Sequence, residues 1–140
     1  MFVSPIEPEK KHMCRSSLIF ICVALFCGLF SAVYEHYSHG VYSNYMVYLF
    51  AFPLIGGTIP YALLGLLPSA VCPSQLSQRI YNSGLAALTV GSCLRGVLDI
   101  YGTSSGYVPV YWAAGALLTA LGAVIYLFKV HASRVRRAKG

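Results

Sequence analysis

At 140 residues the chain has room for one domain, and with 57% hydrophobic and only 10% charged residues it lacks the charge of an ordinary soluble domain, where about a quarter of residues are charged. Its net charge of +6 invites a nucleic-acid reading. The Lys and Arg residues flank apolar runs instead, so no nucleic-acid partner is expected.

A membrane span needs about 20 mostly apolar residues. Four stretches reach that length, at 16–37, 45–67, 78–101 and 108–130. The short connections between them make neighbours antiparallel. The expected fold class is therefore an all-α integral membrane protein, a four-transmembrane-helix antiparallel bundle over 16–130. A cytoplasmic N-terminal tail occupies 1–15 and a basic cytoplasmic tail 131–140.

The tail Met1–Lys11 has two prolines and mixed charge and is expected to be loosely ordered. The first apolar run follows a basic flank like that of a signal peptide. It is long for such a segment and no clean small-residue cleavage site follows, so it reads as a retained helix. It closes on Val33-Tyr34-Glu35-His36-Tyr37, and Ser38-His39-Gly40 breaks it.

The second run carries Pro53 and Pro60 around Gly56-Gly57-Thr58. A proline inside a helix removes a hydrogen bond and bends it. One reading is an ordinary kinked helix. The other is a discontinuous helix in which Pro53, Gly56, Gly57 and Pro60 shape a ligand pathway lined by freed carbonyls.

The third run carries Gly84, Ala87, Gly91, Cys93 and Gly96, and the fourth Ala113-Ala114-Gly115-Ala116 and Gly122-Ala123. Such small residues let membrane helices approach closely, within the protomer or between protomers. Tyr34, Tyr37, Tyr42, Tyr45, Tyr48, Tyr101, Tyr107, Tyr111 and Trp112 crowd one boundary, as interfacial aromatic belts do. Cys14, Cys22, Cys27, Cys72 and Cys93 lack zinc-site spacing and read as packing residues, with no disulfide framework. The dipeptide Cys72-Pro73 reads as a helix start.

Chemistry concentrates in Glu35 and Asp99, the only acids beyond the tail. A shift of 64 residues superposes Glu35 on Asp99, Tyr37 on Tyr101 and Tyr48 on Trp112. That is the pattern of two parallel-repeated helical hairpins, although apolar runs also align by chance. Both acids fall at helix C-termini, where the macrodipole disfavours negative charge. They need a positive partner: Arg95, a histidinium, a proton or a small cationic ligand. The candidate substrate- or ion-binding residues are thus Glu35, His39, Arg95 and Asp99, with Tyr37 and Tyr101 as walls. Glu35, His39 and Asp99 are a weaker candidate set for a metal. The plainer reading is a solvated surface with Arg95–Asp99 as a structural pair. No cofactor is expected. No Walker motif, G-x-S-x-G or H-E-x-x-H points to an enzyme.

The leading expectation is a small transporter, or a membrane subunit of one, with an outward-facing polar and acidic site. Its rivals are a non-catalytic assembly or anchoring subunit and a membrane redox or lipid-modifying enzyme. The expected partners are the bilayer and a second copy or a partner membrane subunit.

Nine of the ten Lys and Arg residues lie on the side of the two termini and only Arg95 toward the other. This places both termini in the cytoplasm, in a plasma (cytoplasmic) membrane. Reporters fused to the C-terminus and inserted at Ser104 are expected in opposite compartments. A C-terminal reporter active outside the cytoplasm would overturn this orientation.

Overall fold

The computed structural model describes residues 6–67 and 70–140, and among them all regular structure is helical. Helix α1 spans Ile6–Tyr37, α2 Asn44–Val47, α3 Ile59–Leu66, α4 Gln75–Tyr101 and α5 Val108–Lys139. A π-helical stretch, Phe52–Thr58, runs directly into α3. Four segments are long and apolar enough to cross a membrane: Pro8–Tyr37, Asn44–Leu66, Gln75–Tyr101 and Val108–Lys139.

The outer helices outrun their apolar cores. Helix α1 already runs through 6–11, where a loosely ordered tail is expected. Pro8 lies in its first turn, where a missing N–H costs no helical bond. Buried Met13 and Ser17 then anchor that end, with Ser17 Oγ donating to the Thr58 carbonyl at 3.2 Å. The expectation for residues 1–5, and for Pro68 and Ser69 of the inner loop, lies outside the described residues. At the other terminus α5 continues to Lys139, and Arg136, Arg137 and Lys139 in its last turn suit the negative end of the helix dipole.

Backbone contacts run in chain order. Helix α1 packs on the second span, the second span on α4, and α4 on α5. Among the described residues α1 makes no close backbone contact with α4 or α5. The second span therefore stands between the first and the third.

Small residues at seven-residue spacing close the α4–α5 pair. Ser77 Oγ donates to the Gly122 carbonyl at 2.7 Å. A Cβ on Gly84 would press on the Thr119 backbone and lie 2.8 Å from the Gly115 carbonyl. A Cβ on Gly91 would meet Tyr111 and Trp112 at 2.9 Å. Contacts climb α4 as they descend α5, a close-packed small-residue seam. Gly84, Gly91, Gly115 and Gly122 thus serve packing within the protomer, while Ala113, Ala114 and Ala116 are exposed.

The irregular backbone expected from Pro53 and Pro60 is the π-helical stretch, with Pro53 near its start. Gly56 faces Leu85 of α4, and Gly57 faces the Phe20 ring of α1. Pro60 lacks the N–H that would bond the Gly56 carbonyl in an α-helix. The Tyr81 hydroxyl donates to that carbonyl, at 2.7 Å. Phe20 stacks on Tyr61 at 5.6 Å, and Tyr61 meets Tyr81 edge-on at 6.5 Å. One aromatic chain thereby ties α1, the second span and α4 together.

The outward faces are apolar: Leu25, Phe26 and Leu29 on α1, and Leu117, Leu127 and Phe128 on α5, are mostly exposed. Faces of this kind suit hydrocarbon and are a liability in water.

Glycine replacement separates the two kinds of surface. Among the described residues nothing lies within 4 Å of a Cβ on Gly28. Gly28→Ala is expected to be neutral or to stabilise by up to about 1 kcal/mol through helix propensity. Gly84→Ala is expected to destabilise by about 1–3 kcal/mol, because backbone atoms must move. Thermal unfolding in detergent measures both, and equal midpoints for the two variants would refute the α4–α5 seam.

Candidate functional site

Helix α4 ends in a left-handed cap. Gly102 has φ of +71°, its N–H bonds the Asp99 carbonyl at 3.1 Å, and the Thr103 N–H bonds the Leu98 carbonyl at 2.9 Å. This is a Schellman arrangement, for which glycine is the natural residue. It places Asp99 in the last helical turn, against the helix dipole. That placement costs about 0.3–1 kcal/mol.

Two groups offset the cost. Arg95 Nε lies 3.0 Å from Asp99 Oδ1, an ion pair whose angle falls short of an aligned hydrogen bond. The Ser43 hydroxyl donates to Asp99 Oδ2 at 3.1 Å. A hydrogen bond to a charged group is worth about 1.5–3 kcal/mol, enough to outweigh the dipole. Ser43 is buried at the start of α2, and its side chain leaves its own helix uncapped to reach Asp99.

The second span is held firmly at this point. Leu49 N–H bonds the Met46 carbonyl, so the Tyr45 carbonyl is free of the helix, and it accepts from Ser92 at 3.0 Å. The Met46 carbonyl also accepts from Ser31 of α1 at 2.7 Å. A Cβ on Gly96 would lie 3.0 Å from Met46 N, so glycine lets the two backbones meet.

This anchoring places the Tyr45 ring beneath Arg95, whose guanidinium carbon is 5.6 Å from the ring centroid. Trp112 meets Tyr45 edge-on at 5.6 Å. Tyr45, Arg95, Ser105, Val108, Pro109 and Trp112 line an open cleft of about 420 Å³. Arg95 faces this cleft and Asp99 does not line it, so its formal charge is positive.

The structure brings together two of the three residues expected to cluster. Among the described residues the ion pair is Arg95–Asp99, and Glu35 makes none. Glu35 is half-buried, and its Oε1 is buried without a partner. The separation has a direct cause: Met46 sits between Ser31 of α1 and Gly96 of α4. His39 lies beyond the helix end at Tyr37, exposed and with φ of 55°, so it does not share the face of Glu35. Among the described residues no three His, Cys, Asp or Glu side chains converge as metal ligands, so Glu35, His39 and Asp99 are not assembled into such a set.

Tyr37 and Tyr101 share a cavity wall. With Tyr34, Ser38 and Ile100 they line a separate cleft of about 380 Å³ between α1 and α4. Around Pro53 and Pro60 the carbonyls of Gly56 and Thr58 are taken by Tyr81 and Ser17. Ser43, Tyr45 and Trp112 escape a sequence reading as site residues. Ser43-Asn44 before an apolar run is a helix-start signal that could have drawn notice. Tyr45 and Trp112 are indistinguishable from the other belt aromatics.

Comparison with known protein families, with characterised proteins and with solved structures gives no match for this chain.

A double-mutant cycle tests the broken span. Tyr81→Phe alone is expected to cost about 1 kcal/mol, the net worth of one part-buried hydrogen bond. Pro60→Ala restores a backbone donor, so Tyr81→Phe should cost markedly less in that background. Additive effects on unfolding would show that Tyr81 does not replace the missing N–H.

Proposed function

We propose that the chain is a four-span membrane protein, its helices antiparallel and both termini cytoplasmic, that acts as a small transporter or as the solute-binding membrane subunit of one. The carrying observation is Arg95, fixed by Asp99 and Tyr45 in an open aromatic-walled cleft at the tyrosine-rich end. In the proposed orientation this cleft faces outward.

The geometry refines the ligand class. Both Asp99 oxygens are engaged, by Arg95 and Ser43. The cleft therefore presents a guanidinium rather than a free carboxylate. A small solute carrying a carboxylate fits it better than the small cation suggested by two unpaired acids. An aromatic wall adds contact area at low entropic cost.

The anchoring-subunit reading has less support. Of its small docking residues, Gly84, Gly91, Gly115 and Gly122 are spent in the α4–α5 contact, which leaves Ala113, Ala114 and Ala116 exposed. The redox or lipid-modifying reading required Glu35, the histidines and the tyrosines to converge on one centre, and Glu35 and His39 stand apart.

Trp112 is the only tryptophan and lines the cleft, so its emission reports on this site alone. Titration of the detergent-purified protein with small mono- and dicarboxylates and amino acids is expected to give a saturable change. Arg95→Gln should weaken it about ten-fold or more, the loss of a charge-assisted contact. The same solute should accumulate in proteoliposomes bearing the wild-type chain. A saturable response that Arg95→Gln leaves unchanged, or no response across the panel, would refute the site. Binding without uptake would refute transport by the chain alone.

A further inference from the structure

At the opposite, basic end two cavities adjoin. The first is an apolar groove of about 320 Å³ between α3 and α5, floored by α4. Its walls include Pro60, Leu64, Ala123 and the rings of Tyr61, Tyr81 and Tyr126. Three of the polar tips on this lining are spent elsewhere. Tyr61 OH donates to Asn82 Oδ1 at 2.7 Å, Tyr81 OH to the Gly56 carbonyl at 2.7 Å, and Ser77 Oγ to the Gly122 carbonyl at 2.7 Å. Such a groove offers ring faces and methylenes, with few hydrogen bonds to give, and hydrocarbon is the occupant it suits.

The second is a polar vestibule of about 590 Å³. It is bounded by the first turns of α1, by Pro73 and Ser74, by the start of α4, and by Lys129 of α5. Pro73 and Gln78 line both cavities, so the groove opens where the vestibule begins. Both volumes fall within the range of small-molecule sites.

The charge of the vestibule is mixed but net positive. His12, Arg79 and Lys129 line it, and so does one acid, Glu9. Lys129 Nζ is held at 2.6 Å from the Cys72 carbonyl, which fixes its position at the rim. Glu9 is drawn to the Cys72 thiol. Burial first, and the hydrogen bond to Glu9 second, push that thiol above its ordinary range. Glu9, Arg79 and His12 are all exposed at this rim, and the cations outnumber the one acid.

We infer that this pair of cavities is a binding site for an anionic glycerophospholipid, with one acyl chain in the groove and the phosphate in the vestibule. An apolar slot opening into a cationic chamber is complementary to a molecule with a hydrocarbon tail and a phosphate joined at one point. A free phosphate uses only one half, and a zwitterionic lipid brings a second, cationic group into a net-positive chamber. The location agrees with the anionic cytoplasmic leaflet, which basic pockets between helices engage. The inference rests on the membrane reading and is independent of the Arg95 cleft, so a failed solute titration leaves it standing.

The test uses the purified full chain in neutral detergent. Thermal unfolding is followed with phosphatidylglycerol, with phosphatidylcholine of the same chains, and with glycerol phosphate alone. Phosphatidylglycerol is expected to raise Tm saturably, phosphatidylcholine much less, and glycerol phosphate not at all. Arg79→Gln removes an exposed charge without touching a packed side chain. It should weaken the phosphatidylglycerol effect about five-fold, the worth of one cation at an anionic lipid surface. Ala123→Leu fills the groove and should abolish the effect, and any loss of basal Tm is read separately without lipid. Equal shifts with both lipids would overturn the inference, as would a shift with glycerol phosphate alone. An unchanged phosphatidylglycerol affinity in a His12→Gln, Arg79→Gln double variant would overturn it too.

Discussion

Pro60 removes a backbone donor from the middle of an apolar segment, where water cannot supply a replacement. An unpaired buried carbonyl costs about 1–3 kcal/mol, a large share of the stability of a small domain. The Gly56 carbonyl, one turn before Pro60, accepts a hydrogen bond from Tyr81 of α4. That single hydrogen bond fixes how deep and how close the second span lies against α4. Gly56 permits the approach on one side and Gly57 on the other, where Phe20 of α1 fills the space. The break in the second span is thus the element that joins its neighbours.

The position of the polar site follows. Because the second span stands between α1 and α4, residues at the ends of those helices meet only where its own chain allows. Met46 occupies the gap near Glu35, bonded by Ser31 and pressed on Gly96. On the far side of that gap Ser43 and Tyr45 belong to the same stretch and reach Asp99 and Arg95. The stretch around α2 thereby serves one acid: Asp99 is paired by Arg95 and Ser43, and Glu35 is half-buried with its Oε1 unpartnered.

What a sequence reveals here is what depends on local composition. The four apolar runs, the break between Pro53 and Pro60 and the capping glycine after Tyr101 are all local, and all appear in the helices. Which faces meet is a different matter. The glycines of α4 and α5 carry the same small-residue signal whether they pack within one chain or between two, and only their register with Tyr81, Thr119 and Trp112 resolves it. Glu35 and Asp99 look like symmetry mates because the dipole argument treats each helix alone. It cannot register a third segment lying between them. A four-residue spacing sets His39 on the face of Glu35 only if the helix runs that far, but α1 ends at Tyr37 and the chain turns left-handed. Serine hydroxyls leave the faintest trace of all: Ser17, Ser31, Ser43 and Ser92 each hold a contact between segments, and only Ser43 carries a local signal, that of a helix start.

The two ends of the molecule handle charge by different physics. At the tyrosine-rich end a single cation is held by a carboxylate and a ring, and its position is set by packing. At the other end nine cations are spread over helix termini and a vestibule, and screening lets them act together at the range of a Debye length, about 8 Å in physiological salt. A fixed, aromatic-walled guanidinium suits recognition of one solute geometry. A loose basic rim above an apolar groove suits a lipid surface, where the tail supplies the binding energy and the charges choose the headgroup. The broken second span connects these ends. Tyr61 and Tyr81 wall the groove while bracing the π-helical stretch, which continues upward into the turn that carries Tyr45. An occupant of the groove would press on the same two rings that hold the break in place, and so on the segment that positions the cleft.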